Sequence, residues 1–218
     1  EARRLLAEWR HLDASELPRT EVLRHVIEHA LLAAHRHVFG VFFCFVVFSA
    51  LGLGPTGAVL YRMAEFASRY WAYRQRTLDA PANDELRTLS RRLFALLDHV
   101  PARLTAFGFA LVGNFEEAVD SWRRDAGLWQ HPNEGIILAA AAGAVGVQLG
   151  GAAAPGVTPD RSKTFSAGTE AGLAEAQGST AGLPPQAAHL NSVVGLVWRS
   201  VVLWMLLLAL LIPANIVG

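Results

Sequence analysis

Cysteine and charged residues are scarce in this sequence. Cys44 is the only cysteine among 218 residues, so a disulfide framework is excluded. Charged residues make up 17% of the chain, against about 25% in a typical soluble domain, whereas 52% are hydrophobic. The formal net charge is zero, which argues against a nucleic-acid partner. The composition therefore favours a protein whose partner is the lipid membrane.

Charge is missing altogether from Val38 to Tyr61, a run of 24 residues. As one helix this run would be about 36 Å long, enough to cross a hydrocarbon layer of about 30 Å. However, Gly52, Gly54 and Pro55 interrupt it, because adjacent glycine and proline stop helices. A broken apolar segment is tolerated at membrane depth only where protein or a water-filled cavity covers its backbone. The sequence therefore predicts a broken or re-entrant segment that is also a candidate site.

A second charge-free run of 19 residues extends from Ser200 to the last residue. It would form about 28 Å of helix, and Trp198 and Arg199 stand at one end, as is typical of a membrane interface. We therefore predict a C-terminal transmembrane helix over residues 192–212. Residues 152–186 are rich in Gly, Ala, Ser, Thr and Pro without hydrophobic periodicity, which predicts a flexible loop.

The predicted fold class is all-α, a helical integral membrane protein. We expect residues 1–218 to form a single helical membrane domain. Because the chain begins at Glu1 without a methionine, we expect that an N-terminal portion is missing.

The break in the first apolar run has the chemistry of an anion site. A half-helix that begins at Pro55 would point backbone N–H groups and its positive end at an anion beside Gly54. Arg62 would add charge-assisted hydrogen bonds. Arg103 is a second candidate, although an arginine in such a place also snorkels to the interface without binding a ligand.

Two further patterns suggest chemistry and have a structural alternative. His25-Val26-Ile27-Glu28-His29 has the H-x-x-E-H spacing of a zinc hydrolase, but no third ligand is identifiable and solvated histidines are the favoured interpretation. The Ala- and Gly-rich helix that follows residue 135 is expected to end at Gln148-Leu149-Gly150-Gly151. Its glycines could cradle a phosphate, but close helix packing explains them as well, and no Walker lysine or Rossmann pattern is present.

Several motifs resemble a bacterial membrane family, the cobalamin-biosynthesis proteins CobD/CbiB, and their relative AmpE. GPTGAVLYR (Gly54–Arg62), VPARLTA (Val100–Ala106) and PNEG (Pro132–Gly135) followed by GAVGVQLGG (Gly143–Gly151) resemble the cobalamin branch. FALVGNFEEAVDSWR (Phe109–Arg123) is more similar to AmpE. The resemblance extends from about Val26 to the terminal helix, without the loop.

The resemblance implies an activity and a set of site residues. The cobalamin enzymes join aminopropanol, or its phosphate, to a carboxyl group of cobyric acid with ATP, which implies Mg²⁺, a corrinoid substrate and a multi-pass location in the bacterial inner membrane. Glu28 would be an acid of the site, and no metal ligand is assigned. The substrate-binding residues implied are Gly54, Arg62, Arg103, Asn133, Gly135, Gln148, Gly150 and Gly151.

Three acidic clusters of the family pattern are altered in this chain. The E-N-x-x-D-G segment falls on Leu32–His37, the N-T-L-D segment on Glu65–Ser68, and a paired aspartate on Phe94–Ala95. Two interpretations stay open. The chain is either an amide-forming ligase of cobalamin assembly, or a non-catalytic relative. The non-catalytic alternative is an AmpE-like inner-membrane sensor that links cell-wall turnover to β-lactamase induction.

Overall fold

The computed structural model describes residues 19–77, 84–150 and 179–217, and these residues are almost entirely helical. The only β-type pairings among them are two isolated bridges, Val147 with Leu183 and Gly150 with Ser179. The described residues form eight α-helices, which are α1 (Arg19–Ala34), α2 (Gly40–Ala50), α3 (Thr56–Thr77), α4 (Asp84–Leu97), α5 (His99–Val112), α6 (Phe115–Asp125), α7 (Pro132–Val145) and α8 (Ala187–Val217). The described part of the chain is therefore all-α, as predicted.

The first membrane candidate is one continuous helix that contains the first half of the apolar run. A π-helical segment, His35–Phe39, joins α1 to α2 without a break. Together they form a helix of 32 residues, Arg19–Ala50, which is long and apolar enough to cross a membrane. Before the break at Gly52, the apolar run supplies only about 20 Å of helix, too little to cross a hydrocarbon layer of about 30 Å, and α1 extends it.

The predicted break lies in a tight turn between α2 and α3. Gly52 and Gly54 have φ of 77° and 59°, a left-handed conformation that other residues avoid. The turn reverses the chain, and α3 packs against α2. At Gly57 a Cβ atom would lie 2.2 Å from the Cys44 carbonyl oxygen, so the glycine lets the two backbones approach closely. The broken apolar segment is therefore a helical hairpin.

Helices α4 and α5 form a bent pair. Taken together, the two helices are long and apolar enough to cross a membrane, but the pair is bent by 46° at the residue between them, Asp98. The exposed residues of α4 include Leu86, Leu89, Leu93 and Leu96. Their spacing places them along one face of the helix, as in an amphipathic helix at an interface.

Small residues let α6 and α7 pack closely. Asn114 caps α6, because its side chain accepts a hydrogen bond of 3.4 Å from the Glu117 backbone N–H. A Cβ atom on Gly143 of α7 would lie 2.2 Å from the Glu117 carbonyl oxygen. The Ala- and Gly-rich stretch is thus a packing surface, with a core that includes Ala106, Ala139 and Ala140.

The end of α7 differs from the prediction. The helix stops at Val145 and not at Gln148-Leu149-Gly150-Gly151, so that predicted boundary is wrong. Gly146 has φ of 74°, and its N–H reaches back to the Ala142 carbonyl oxygen at 2.8 Å. A left-handed glycine of this kind is a common helix terminator. Residues 147–150 consequently continue as extended chain.

The C-terminal helix confirms the predicted transmembrane segment. Helix α8 runs from Ala187 to Val217, and its part Ala187–Leu210 is long and apolar enough to cross a membrane. Two helices in the described ranges meet this criterion, or three if the bent pair is one span. The predicted loop, residues 152–186, lies outside the described residues up to residue 178.

The described residues belong to two compact units. The first contains the described residues up to Leu32 and those from Ala106 onward, and the second contains the described residues between Ala33 and Thr105. The apolar hairpin belongs to the second unit, and the Gly-rich motif after α7 belongs to the first. The candidate residues of each unit are therefore described separately.

Candidate functional site

A buried polar cluster in the second unit surrounds the carboxylate of Asp98. The Tyr61 hydroxyl donates to Oδ1 of Asp98 at 2.6 Å, and the Nε2 atom of His35 lies 2.8 Å from the same oxygen. The other ring nitrogen of His35, Nδ1, is 2.9 Å from Oγ1 of Thr105. The cluster therefore connects the π-helical segment to α3, to α5 and to the residue at the bend.

All four side chains of this Asp98 cluster are buried. Their exposed fractions are 0% for Tyr61, 1% for His35, 2% for Thr105 and 5% for Asp98. Gly40 makes room for the tyrosine, since a Cβ atom there would lie 2.2 Å from the Tyr61 hydroxyl oxygen. Because substrate cannot reach atoms that are this buried, the cluster positions helices rather than contacting a ligand.

A second cluster in the same unit links two arginines to one carboxylate. Glu65 is buried, and its Oε2 and Oε1 atoms each lie 3.1 Å from a guanidinium nitrogen, of Arg62 and Arg69 respectively. Nη1 of Arg62 also lies 2.8 Å from Nδ1 of His37. An acid thus stands in the segment where the resemblance indicated altered acids, and it neutralises one of two arginines.

The candidate anion site at Gly54 is not brought together with Arg62. The Ser49 hydroxyl donates to the Gly54 carbonyl oxygen at 3.2 Å, and the Thr56 hydroxyl donates to the Leu53 carbonyl oxygen at 2.6 Å. The polar side chains at the turn therefore stabilise the turn itself. A Cβ atom on Gly54 would meet no atom within 4 Å. The left-handed backbone, and not a close approach, explains this glycine.

Arg103, the other arginine candidate, contacts its own helix. Its Nη1 atom donates to the His99 carbonyl oxygen at 2.8 Å, one turn earlier in α5. The side chain is half-buried. This geometry agrees with an arginine that lies along an apolar surface with its charged end near polar groups.

In the first unit, the Gly-rich motif after α7 is fastened to α1 by two buried ionisable residues. The Gly150 N–H donates to Oε1 of Glu28 at 2.9 Å, and the Gly150 carbonyl oxygen accepts from Nη1 of Arg24. Arg24 also forms an ion pair with Glu21. Glu28 is 1% exposed. The candidate acid therefore holds the backbone of a candidate substrate-binding glycine.

The neighbouring motif residues are fixed by the described segment that follows residue 178. The Leu149 N–H donates to Oγ1 of Thr180 at 2.8 Å, and the Thr180 N–H donates to the Leu149 carbonyl oxygen at 2.9 Å. Nε2 of Gln148 donates to the Ser179 hydroxyl at 3.2 Å. These bonds hold the extended segment that begins after Gly146 in one conformation.

The remaining motif candidates are placed differently. Gly135 is a packing residue, because a Cβ atom there would lie 2.5 Å from the Ala126 carbonyl oxygen and 2.7 Å from Cβ of Trp129. Asn133 is half-buried in the first turn of α7. Gly151 lies outside the described residues.

The described residues do not fit a metal site. Nδ1 of His25 lies 3.6 Å from Oε2 of Glu28, but these two residues and His29 do not make a metal-binding group. No group of three His, Cys, Asp or Glu side chains in ranges 19–77, 84–150 and 179–217 could hold an ion. The buried carboxylates of Glu28, Glu65 and Asp98 each contact arginine or histidine instead. Within the described ranges, these side chains therefore do not fit zinc or the Mg²⁺ that the resemblance implies.

The spanning helices and the buried ionisable clusters define a helical membrane protein. The chain matches the family described as CobD/Cbib protein over residues 1–176. It therefore belongs to the CobD/CbiB family, which confirms the resemblance to the cobalamin branch.

Two relatives show how much of a family member this chain represents. A protein of Stutzerimonas stutzeri (strain A1501), named cobalamin biosynthesis protein CobD, is 36% identical over 208 residues, which cover 95% of this chain and 61% of the relative. A protein of the same name from Chromobacterium violaceum is 38% identical over 142 residues, 65% of this chain and 42% of the relative. The chain thus spans about three fifths or less of these relatives. No solved structure matches it.

Proposed function

We propose that this chain is part of a membrane enzyme of cobalamin assembly, and that the whole protein joins aminopropanol or its phosphate to a carboxyl group of a corrinoid. Family membership and the name that both relatives carry support this proposal. The candidate spanning helices agree with a reaction at the bacterial inner membrane.

The anchoring of Gly150 is the observation that carries the proposal to particular residues. The carboxylate of Glu28 reaches the Gly150 N–H across 122 residues of sequence. Burial of a carboxylate and a guanidinium near a membrane is costly, and such residues mark functional sites in membrane proteins. In this chain both are used to fix the backbone of the motif that most resembles the cobalamin branch. We therefore assign the Gln148–Gly150 segment to one wall of the corrinoid site, with Glu28 and Arg24 as positioning residues.

The ATP and Mg²⁺ chemistry of the proposed reaction is not attributed to these buried residues. Amide formation from a carboxylate requires an activated carboxyl group, and ATP with Mg²⁺ would supply that activation in the whole protein. The buried carboxylates of Glu28, Glu65 and Asp98 each contact an arginine or histidine side chain, so a metal ion would have to break an existing contact to bind there. No step is therefore assigned to Glu28, Glu65 or Asp98.

Complementation tests the proposal. A strain that lacks the cobinamide-forming step receives the complete gene, and growth is compared with cobyric acid and with cobinamide as the supplied corrinoid. We expect growth on both. Glu28→Ala should reduce growth when cobyric acid is supplied but not when cobinamide is supplied. Glu116→Ala, which replaces an exposed acid of α6, should reduce growth in neither case. Growth on cobinamide only, with the protein present in the membrane at normal level, would exclude the catalytic proposal.

The AmpE-like sensor is the second candidate function, and one observation favours it. The buried carboxylates of Glu28, Glu65 and Asp98 each contact arginine or histidine and hold helices and backbone in place, a structural use that does not require catalysis. Deletion of the gene distinguishes the candidates. A sensor predicts a changed β-lactam response with unchanged corrinoid amidation, whereas an unchanged β-lactam response would contradict the sensor.

A further inference from the structure

A groove follows the apolar hairpin on its outer side. It lies along helices α2 and α3 and has a volume of about 510 Å³. Its apolar lining consists of Val41, Ala58, Val59, Met63, Phe66 and Ala67. Along α3 the lining extends from Ala58 to Ala67, ten residues whose Cα atoms span about 14 Å of helix. The groove is thus long enough for part of a hydrocarbon chain.

One charged residue, Arg62, lines the groove midway along its length. Its contacts with Glu65 and His37 both use Nη1. A guanidinium has five N–H donors on three nitrogens, so Nε and Nη2 keep donors that these contacts do not use. The side chain is 42% exposed, and it can therefore offer those donors to a ligand.

The charge around Arg62 suits an anion. Arg62 and Arg69 share the single carboxylate of Glu65, which leaves one positive charge uncompensated within this group. Phosphate oxygens are strong acceptors for a guanidinium. A ligand that satisfies both the charge and the apolar lining has an anionic group and a hydrocarbon part in one molecule.

The position of Arg62 on the hairpin matches the level of lipid headgroups. The bond of 2.8 Å between Arg62 and His37 closes the hairpin at the two ends of its charge-free stretch. From Val38 to the end of α2 is about 20 Å of helix, less than the roughly 30 Å of the hydrocarbon layer. The turn is apolar and exposed, with Leu51 at 68% and Leu53 at 54%. The hairpin therefore fits into hydrocarbon with the polar side chains at its open end, His37, Arg62 and Arg69, at the headgroups.

From this geometry we propose that the groove binds one anionic phospholipid. Its phosphate accepts hydrogen bonds from the Nε and Nη2 groups of Arg62, and an acyl chain lies between Val41 and the Ala58–Val59 side of α3. This assignment is independent of the enzymatic proposal. It gives Arg62 to a lipid, whereas the family resemblance gives Arg62 to the substrate.

Native mass spectrometry of the detergent-purified protein tests this site. Phosphatidylglycerol and phosphatidylcholine are titrated separately onto the wild type, Arg62→Gln and Arg69→Gln. Each substitution removes one arginine charge that contacts the Glu65 carboxylate, but only Arg62 lines the groove. We expect phosphatidylglycerol to bind the wild type more tightly than phosphatidylcholine does. We expect Arg62→Gln to weaken phosphatidylglycerol binding at least about tenfold, and Arg69→Gln by much less.

A second pair of variants tests the groove without changing charge. Ala58→Trp fills the groove, whereas Ala64→Trp adds the same volume to a half-buried position of α3 outside it. We expect only Ala58→Trp to remove the bound lipid. Equal effects of the two arginine variants, or lipid retained by Ala58→Trp, would overturn the proposal. Displacement of the lipid by millimolar inorganic phosphate or by cobinamide phosphate would also overturn it, because Arg62 would then serve a soluble anion.

Discussion

Replacement of Asp98 by alanine should destabilise the second unit strongly. The substitution leaves the Tyr61 hydroxyl and the His35 Nε2 atom buried without the oxygen that both now contact at 2.6 and 2.8 Å. Each buried polar group that loses its partner costs about 1–3 kcal/mol in soluble proteins, although side-chain hydrogen bonds inside membranes average nearer ~0.6 kcal/mol. For the two groups together we expect a loss of roughly 2–4 kcal/mol.

Thermal unfolding of the detergent-purified protein measures this loss. For a chain of about this length, 1 kcal/mol corresponds to roughly 2–4 °C in Tm, so Asp98→Ala should lower Tm by about 4–16 °C. Asp98→Asn keeps one acceptor oxygen at the same place and should lose less. Asp120→Ala, which removes an exposed aspartate of α6, is the matched control. If Asp98→Ala and Asp120→Ala shift Tm equally, the Asp98 cluster does not hold these helices together.

Three further predictions concern the glycines and the motif anchor. Gly143→Ala should lower Tm because its Cβ would meet Glu117, whereas Gly195→Ala, where a Cβ has open space, should leave Tm unchanged or raise it. A larger loss of Tm for Gly195→Ala than for Gly143→Ala would contradict the packing of α7. Glu28→Ala should speed hydrogen exchange at the Gly150 amide, measured by mass spectrometry of a peptide that contains it, and unaltered exchange would show that Glu28 is not its acceptor. Gly54→Ala should cost about 1–2 kcal/mol through its φ of 59°, seen as a lower Tm, and an unchanged Tm would mean that this turn is not left-handed.

Local signals in the sequence were sufficient to predict the hairpin and the C-terminal span. Two glycines and a proline within four residues disfavour a helix through their own backbone preferences, so the break at Gly52–Pro55 could be predicted directly. The charge-free run from Ser200 is likewise a local property. The bond between His37 and Arg62 could not be predicted, because it depends on how tightly the turn brings α3 back onto α2.

The buried clusters were missed for the same reason. Asp98 stands directly before a helix, where aspartate is typical of a capping residue, and nothing local indicates that Tyr61 and His35 meet its carboxylate. Glu28 was identified as a candidate acid through the family resemblance, but its contact joins residues 122 positions apart. A polar or ionisable residue within an apolar helix was the available signal, since such residues are costly unless they have a partner.

The incorrect end of α7 has a specific cause. Gln148-Leu149-Gly150-Gly151 contains adjacent glycines, which normally outweigh a single glycine as a stop signal. The first left-handed residue is nevertheless Gly146, because the following residues pair with Ser179, Thr180 and Leu183 as extended chain. Pairing with residues 179–183 therefore determines that α7 ends before Gly146 and not at Gly150–Gly151, and the sequence alone does not show this.

Direct assay of amide formation tests the proposed function most decisively. Membranes that contain the complete protein are incubated with cobyric acid, aminopropanol phosphate, ATP and Mg²⁺, and the corrinoids are analysed by mass spectrometry. We expect a corrinoid that has gained the amine and lost one water, formed only when ATP is present. Unchanged cobyric acid, with folded protein in the membrane and a parallel CobD relative active, would contradict the ligase assignment.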